Sequence, residues 1–169
     1  MTFVRTGFAN AASQEFAGLT AELSYVYPFG EDMRVGASLN YLYVDKQFQR
    51  VGTGDIDTSV GEIGNPRHSG TLNLNFQKGG LNLLWQTQYF GKAVIDADGA
   101  PDAFDIPGNG DWWLFNATIG YDVSEQFGLK LIVDNVFDVS PPSPRPAEGG
   151  TVTYYSGLVG RFVRLAATV

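Results

Sequence analysis

His68-Ser69-Gly70-Thr71-Leu72-Asn73-Leu74-Asn75-Phe76-Gln77, then Lys78-Gly79-Gly80, then Leu81-Asn82-Leu83-Leu84-Trp85-Gln86-Thr87-Gln88-Tyr89-Phe90, is the stretch whose reading decides the fold. In its first ten residues Leu72, Leu74 and Phe76 oppose Ser69, Thr71, Asn73, Asn75 and Gln77. That period of two is a strand with one apolar and one polar face. Lys78-Gly79-Gly80 has the chemistry of a hairpin turn. The return segment sets Leu81, Leu83, Trp85, Thr87 and Tyr89 against Asn82, Leu84, Gln86, Gln88 and Phe90.

Working outward, the same pattern predicts strands over Thr2–Ala9, Phe16–Tyr27, Met33–Val44, Trp113–Tyr121, Phe127–Val136 and Leu158–Val169. In Phe16–Tyr27, Leu19, Ala21, Leu23, Tyr25 and Tyr27 share a face. In Met33–Val44, Val35, Ala37, Leu39, Tyr41 and Tyr43 do so. Phe127, Leu129, Leu131 and Val133 point one way, and Gly128, Lys130, Ile132 and Asp134 the other. No helical period is present. The expectation is all-β: about eight antiparallel strands in an up-and-down meander.

Two regularities identify the surroundings. The connections near Phe29, Gly79 and Ser124 are tight, whereas Asp45–Arg67, Gly91–Gly110 and Phe137–Ser156 are long. Successive antiparallel strands place alternate connections at opposite ends, so long loops gather at one rim and short turns at the other, as in outer-membrane barrels. The aromatic residues also separate by height. Tyr25, Tyr27, Phe76, Tyr121 and Phe127 fall near the short-turn rim; Tyr41, Tyr43, Tyr89 and Trp113 fall near the long-loop rim. Two aromatic girdles about a band of Leu, Val, Ala and Ile match a bilayer with two interfaces, and strands of about ten residues span one when tilted. The opposite face, rich in Asn, Gln, Thr, Ser and Gly, suits a wet or protein-plugged lumen. A small soluble barrel, such as a lipocalin-like carrier, needs an apolar interior for its core.

Composition agrees. The 169 residues include 21 glycines, and charged residues make up only 17%, below the quarter usual for soluble domains. A net charge of -7 argues against nucleic acid as a partner, which requires a basic surface. The absence of cysteine excludes a disulfide framework and thiolate metal sites. No apolar run is long enough for a transmembrane helix, and Gly7-Phe8-Ala9 is too short for the apolar region of a signal peptide. An export signal is expected elsewhere.

Asn135-Val136-Phe137-Asp138 followed by Pro141-Pro142, then Gly160-Arg161-Phe162 in a last strand, resembles the C-terminal end of TonB-dependent outer-membrane receptors. Gly64-Asn65-Pro66-Arg67 leading into Gly70-Thr71-Leu72-Asn73-Leu74, and Gln88-Tyr89-Phe90-Gly91-Lys92, are similar to that family's late barrel strands. Phe16-Ala17-Gly18-Leu19-Thr20-Ala21-Glu22-Leu23 fits a strand somewhat earlier. The resemblance extends over essentially the whole chain. It implies a segment of an outer-membrane receptor of Gram-negative type, importing a bulky nutrient of the siderophore–iron, cobalamin or oligosaccharide class. The implied partners are outer-membrane lipid, earlier barrel strands and a plug of the same receptor, the TonB complex through that plug, and the small-molecule nutrient.

The chain departs from the family pattern in lacking a plug and a TonB-contacting box, in having about eight strands where such transporters use about 22, and in closing on Val169 rather than an aromatic residue. Residues 1–169 are therefore expected to form a C-terminal barrel segment, its aromatic terminus a residue or two beyond. The alternative is a complete eight-stranded outer-membrane barrel with a structural or adhesive role.

Few residues stand out as sites. Trp112 is expected to face the lumen near the mouth, where an indole can stack on a sugar ring or flat chelator; Trp113 is expected in the girdle. His68 has no visible metal co-ligands. Asp96-Ala97-Asp98-Gly99 with Asp102 and Asp105 hints at calcium, but the twelfth position of an EF-hand loop falls on Pro107, which supplies no carboxylate. Those acids with Asp111 would give the mouth a negative field. Asn135 is read as closing a strand and Asp138 as starting a turn, with Pro141, Pro142, Pro144 and Pro146 stiffening the loop. No nucleophile–base–orienter series is visible, so no catalytic residue, metal or cofactor is assigned.

Overall fold

A computed structural model describes residues 12–52, 54–99, 107–141 and 159–169. Its strands are β1 (Ala12–Phe29), β2 (Met33–Val51), β3 (Ile56–Thr58), β4 (His68–Lys78) and β5 (Leu81–Phe90). They continue with β6 (Ala93–Val94), β7 (Gly108–Asn109), β8 (Trp112–Asp122), β9 (Gly128–Asp134) and β10 (Phe162–Thr168). Seven long strands form one antiparallel meander in the order β1-β2-β4-β5-β8-β9-β10, with β3 beside the far end of β2 and β6 paired to β7. There is no helix among the described residues. The strand expected over residues 2–9 lies outside the described residues. Within them β1 pairs only with β2, and β10 only with β9.

Register aligns side chains of one kind across the sheet. One row runs Tyr25, Ala37, Leu74, Trp85, Ala117, Val133, Val163, and the next toward the short turns runs Tyr27, Val35, Phe76, Leu83, Ile119, Leu131, Leu165. These rows are uncovered: Tyr25 is 61% exposed, Leu74 43%, Ile119 47% and Leu165 75%. Leu72, Leu74, Trp85 and Leu131 therefore do not meet in a dry centre. The most covered apolar residues of β8, Trp112 and Leu114, lie on the opposite face. An apolar sheet face this large and bare is that of a protein surrounded by hydrocarbon or another apolar partner.

The girdles are present. Near the short turns, Tyr25, Tyr27 and Phe29 form a ladder with centroid separations of 6.4 and 4.5 Å. Near the long loops, Tyr89 and Trp113 lie 4.4 Å apart, and Tyr43 lies 5.1 Å from His68. From Tyr41 to Val35 is six residues, about 20 Å of strand, comparable to the apolar band of an outer-membrane barrel. At mid-height Phe137 packs edge-on to Phe115 at 5.0 Å and to Trp85 at 6.2 Å.

The segment expected as loop from Asp45 to Arg67 contains strand. β2 continues to Val51 and β3 pairs with it at Phe48–Arg50. The cause is a bulge: Ala17 pairs Lys46 but Gly18 pairs Val44, so Asp45 is an extra residue on β2. Arg67 holds it, its Nη1 donating to the Asp45 carbonyl at 3.0 Å and approaching the Asp45 carboxylate at 3.9 Å. The Val44 N–H donates to the Arg67 carbonyl at 2.9 Å. Gly18 is required opposite, because a Cβ there would lie 2.5 Å from the Tyr43 carbonyl oxygen. Beyond the bulge β1 and β2 stand clear of β4, which begins opposite Tyr43.

Candidate functional site

Alternation sends every second side chain of the long strands to the face opposite the bare apolar rows. The register places Ser24, Ser38, Asn73, Gln86 and Asn116 side by side in one row. From Ser38 to Asn116 they are hydrogen-bonded across strands. Asn73 Nδ2 donates to Ser38 Oγ at 3.2 Å, Gln86 Nε2 to Asn73 Oδ1 at 3.0 Å, and Asn116 Nδ2 to Gln86 Oε1 at 3.1 Å. Gln88 Nε2 joins at Gln86 Oε1, at 3.1 Å.

The row ends at Asn135, which is 1% exposed and holds a left-handed backbone at φ 54°. Its N–H donates to Asn116 Oδ1 at 2.9 Å, its Nδ2 to the Val139 carbonyl at 2.8 Å, and its Oδ1 accepts from the Val139 N–H at 3.0 Å. The Asp138 N–H returns to the Asn135 carbonyl at 2.9 Å, so Asp138 closes a turn that begins at Asn135. The Asp138 carboxylate, however, accepts the Arg161 N–H at 2.7 Å, joining both ends of the long loop. Asn135 thus anchors the polar face while Phe137, two residues on, anchors the apolar face. Of Pro141, Pro142, Pro144 and Pro146, only Pro141 lies within the described residues.

Above the amide row the face turns aromatic. Trp112, 6% exposed, and Leu114, 4%, pack with Ile63, Phe90 and Val139, and the Phe90 and Trp112 rings are 5.6 Å apart. Trp112 lies on the face opposite the bare apolar rows, beneath side chains of two loops; Trp113, 47% exposed, stands beside Tyr89 on the apolar face. The loops after β2 and β5 are joined to each other. Ile63 N–H donates to the Val94 carbonyl at 2.9 Å, Val94 N–H to the Gly61 carbonyl at 2.8 Å, and Ala97 N–H to Glu62 Oε1 at 2.9 Å.

The acids of the second loop accept backbone N–H groups of that loop and of β3. Asp96 Oδ1 accepts from Asp98 and Gly99, Asp98 accepts the Thr58 N–H, and Asp111 Oδ1 accepts the Lys92 N–H at 2.8 Å. Asp102 and Asp105 lie outside the described residues. His68 Nδ1 is 2.6 Å from Tyr41 Oη. Among the described residues no three of His, Cys, Asp and Glu are grouped to hold a metal.

Sequence reasoning named neither the amide row nor the Arg67–Asp45 contact. The Asn and Gln positions were visible by alternation, but their alignment depends on register. Chemically the row offers neutral donors and acceptors at fixed spacing. It can hydrogen-bond hydroxyls or polypeptide.

An antiparallel meander with bare apolar rows, two aromatic girdles, short turns at one rim and long loops at the other defines the wall of an outer-membrane-type β-barrel. The TonB dependent receptor-like, beta-barrel family matches residues 2–136, and the chain belongs to that family. It is thereby a piece of a TonB-dependent receptor barrel, of a family of outer-membrane transporters. No curated protein and no solved structure matches the chain.

Proposed function

We propose that residues 1–169 form the C-terminal part of a receptor barrel that takes up a bulky nutrient across the outer membrane. In this reading the apolar rows meet lipid, the amide row lines the lumen, and the loops after β2, β5 and β9 frame the outer mouth. The observation that carries it is the continuous hydrogen-bonded row from Ser38 to Asn135, directly behind a face of uncovered Leu, Val, Ile and aromatic side chains. Polar groups buried dry without partners cost about 1–3 kcal/mol each, so such a row suits a hydrated lumen or a polar plug. The earlier strands, the plug and the contact with the TonB complex belong to the rest of the receptor.

The nutrient is of the siderophore–iron, cobalamin or oligosaccharide class. Neutral amides at fixed spacing favour ligands rich in hydroxyls and carbonyls. Trp112, level with Phe90, is an aromatic of this face toward the long-loop rim; because Ile63 and Val139 pack against it, its ring meets a ligand only after those loops shift. Deleting the receptor and testing growth on each nutrient as the limiting source, with and without TonB, examines the proposal. Loss of growth on one nutrient only, reproduced by deleting TonB, is expected; unchanged growth on all three would overturn it. If the chain instead refolds alone in detergent to a heat-modifiable monomer with β1 and β10 protected, it is a closed small barrel of structural or adhesive role.

A further inference from the structure

A cavity of about 510 Å³ opens at the long-loop rim, between the start of β4 and the paired β6 and β7. Arg67, His68 and Lys92 all line it, together with Gly61, Gly108 and Asn109. The chain has a net charge of -7, eleven Lys and Arg and one histidine, yet two of those cations and the histidine share this cavity. Among the described residues no carboxylate lines it. The other cavities differ: one near the short turns includes Asp122 and Glu125 beside Lys130, and one beside β1 includes Glu15 and Asp57 without a cation.

The described acids nearby are engaged. Asp45 accompanies Arg67 at the bulge, Asp111 accepts the Lys92 backbone N–H, Asp96 accepts N–H groups of its own loop, Asp98 accepts the Thr58 N–H of β3, and Glu62 accepts the Ala97 N–H. His68 has Nδ1 at Tyr41 Oη, which fixes the ring and leaves Nε2 at its other edge.

We propose that this cavity is an anion site for a phosphate group, placed just beyond the upper aromatic girdle. Arg67 and Lys92 supply charge-assisted donors, and a His68 imidazole whose Nδ1 accepts the Tyr41 hydroxyl proton presents Nε2–H as a third. The size falls in the range of small-ligand pockets, so the phosphate arrives with a sugar-sized remainder. Tyr43 and Tyr89 belong to the girdle immediately below, where headgroups meet the acyl region. Two sources share this chemistry: a phosphorylated lipid headgroup of the surrounding leaflet, and a soluble phosphate or phosphate ester. The site stands apart from the lumen reading and does not depend on which nutrient is carried.

The test uses the full receptor purified in zwitterionic detergent, as wild type and as Lys92→Gln, His68→Gln and Lys92→Arg. Arg67 is left intact because it also holds the bulge, and heat-modifiable gel mobility confirms that each variant is folded. Inorganic phosphate is titrated by calorimetry. In a second arm, nanodiscs of phosphatidylcholine carrying lipid A or its dephosphorylated form report which lipid the receptor retains. Saturable phosphate binding weakened about tenfold or more by Lys92→Gln and His68→Gln, and kept by Lys92→Arg, establishes the soluble source. Selective retention of the phosphorylated lipid, lost in the same two variants, establishes the lipid source. Binding in neither arm, or binding that the folded variants leave unchanged, overturns the proposal.

Discussion

Asn135 is the residue on which the return to the last strand turns. Its side chain satisfies both the N–H and the C=O of Val139 at a position 1% exposed. Asn135→Ala leaves both groups without that partner in a left-handed backbone that alanine disfavours, so a loss of about 3 kcal/mol is expected, at 1–3 kcal/mol for each stranded group. Asn135→Asp keeps the bond to the Val139 N–H but sets a carboxylate against the Val139 carbonyl, and is expected to be little better. Urea unfolding of the refolded barrel, followed by tryptophan fluorescence, measures both; wild-type midpoints would show that the turn does not depend on this side chain. Phe137, on the other side of the strand, contacts Phe115 and Trp85, so Phe137→Ala should cost less because its ring is 59% exposed.

At the scale of the strand, the bulge separates two regimes. Below it, β2 has neighbours on both sides; above it, β2 carries only β1 and the short β3. Arg67→Met removes the bond to the Asp45 carbonyl while keeping the bulk of the side chain. The expected result is faster hydrogen exchange in residues 46–51 and 56–58 with little change in β4 and β5. Uniform loss across the sheet would show that Arg67 supports the whole wall instead.

The same bulge explains what the sequence displayed and what it hid. The run Val35, Ala37, Leu39, Tyr41, Tyr43 keeps its alternation, so that part of β2 was legible from period alone. At Asp45 the extra residue resets the parity, and the pattern ends where the strand does not. The polar row shows the complementary limit. Asn73, Gln86 and Asn116 each announced their face, but their meeting is a matter of register between strands far apart in sequence. Trp112 lies opposite the bare apolar rows; its cover, Ile63 and Val139, comes from loops without a period to read.

For the molecule as a whole, the bare apolar face fixes the expected behaviour in lipid. Trp85 sits in the middle rows and Trp113 in the upper girdle, while Trp112 is turned to the other face. In vesicles with brominated acyl chains, bromine near the bilayer centre should quench Trp85 and bromine near the headgroup Trp113, as shown by Trp→Phe substitution at each. Equal quenching at all depths, or quenching lost on Trp112→Phe alone, would reverse the orientation of the wall. Placing arginine at Leu74 is expected to destabilise the inserted barrel by about 2–4 kcal/mol, whereas Asn75→Arg, on the face directed away from lipid, should cost far less. Both are read from urea unfolding in vesicles.

The junction between the loops after β2 and β5 has a consequence for recombination. Val94 receives one bond from Ile63 and gives one to Gly61, while Glu62 holds Ala97. Exchanging either loop alone for that of another receptor strands backbone groups in the one left behind. The two should travel together in any functional chimera, as one module of the mouth.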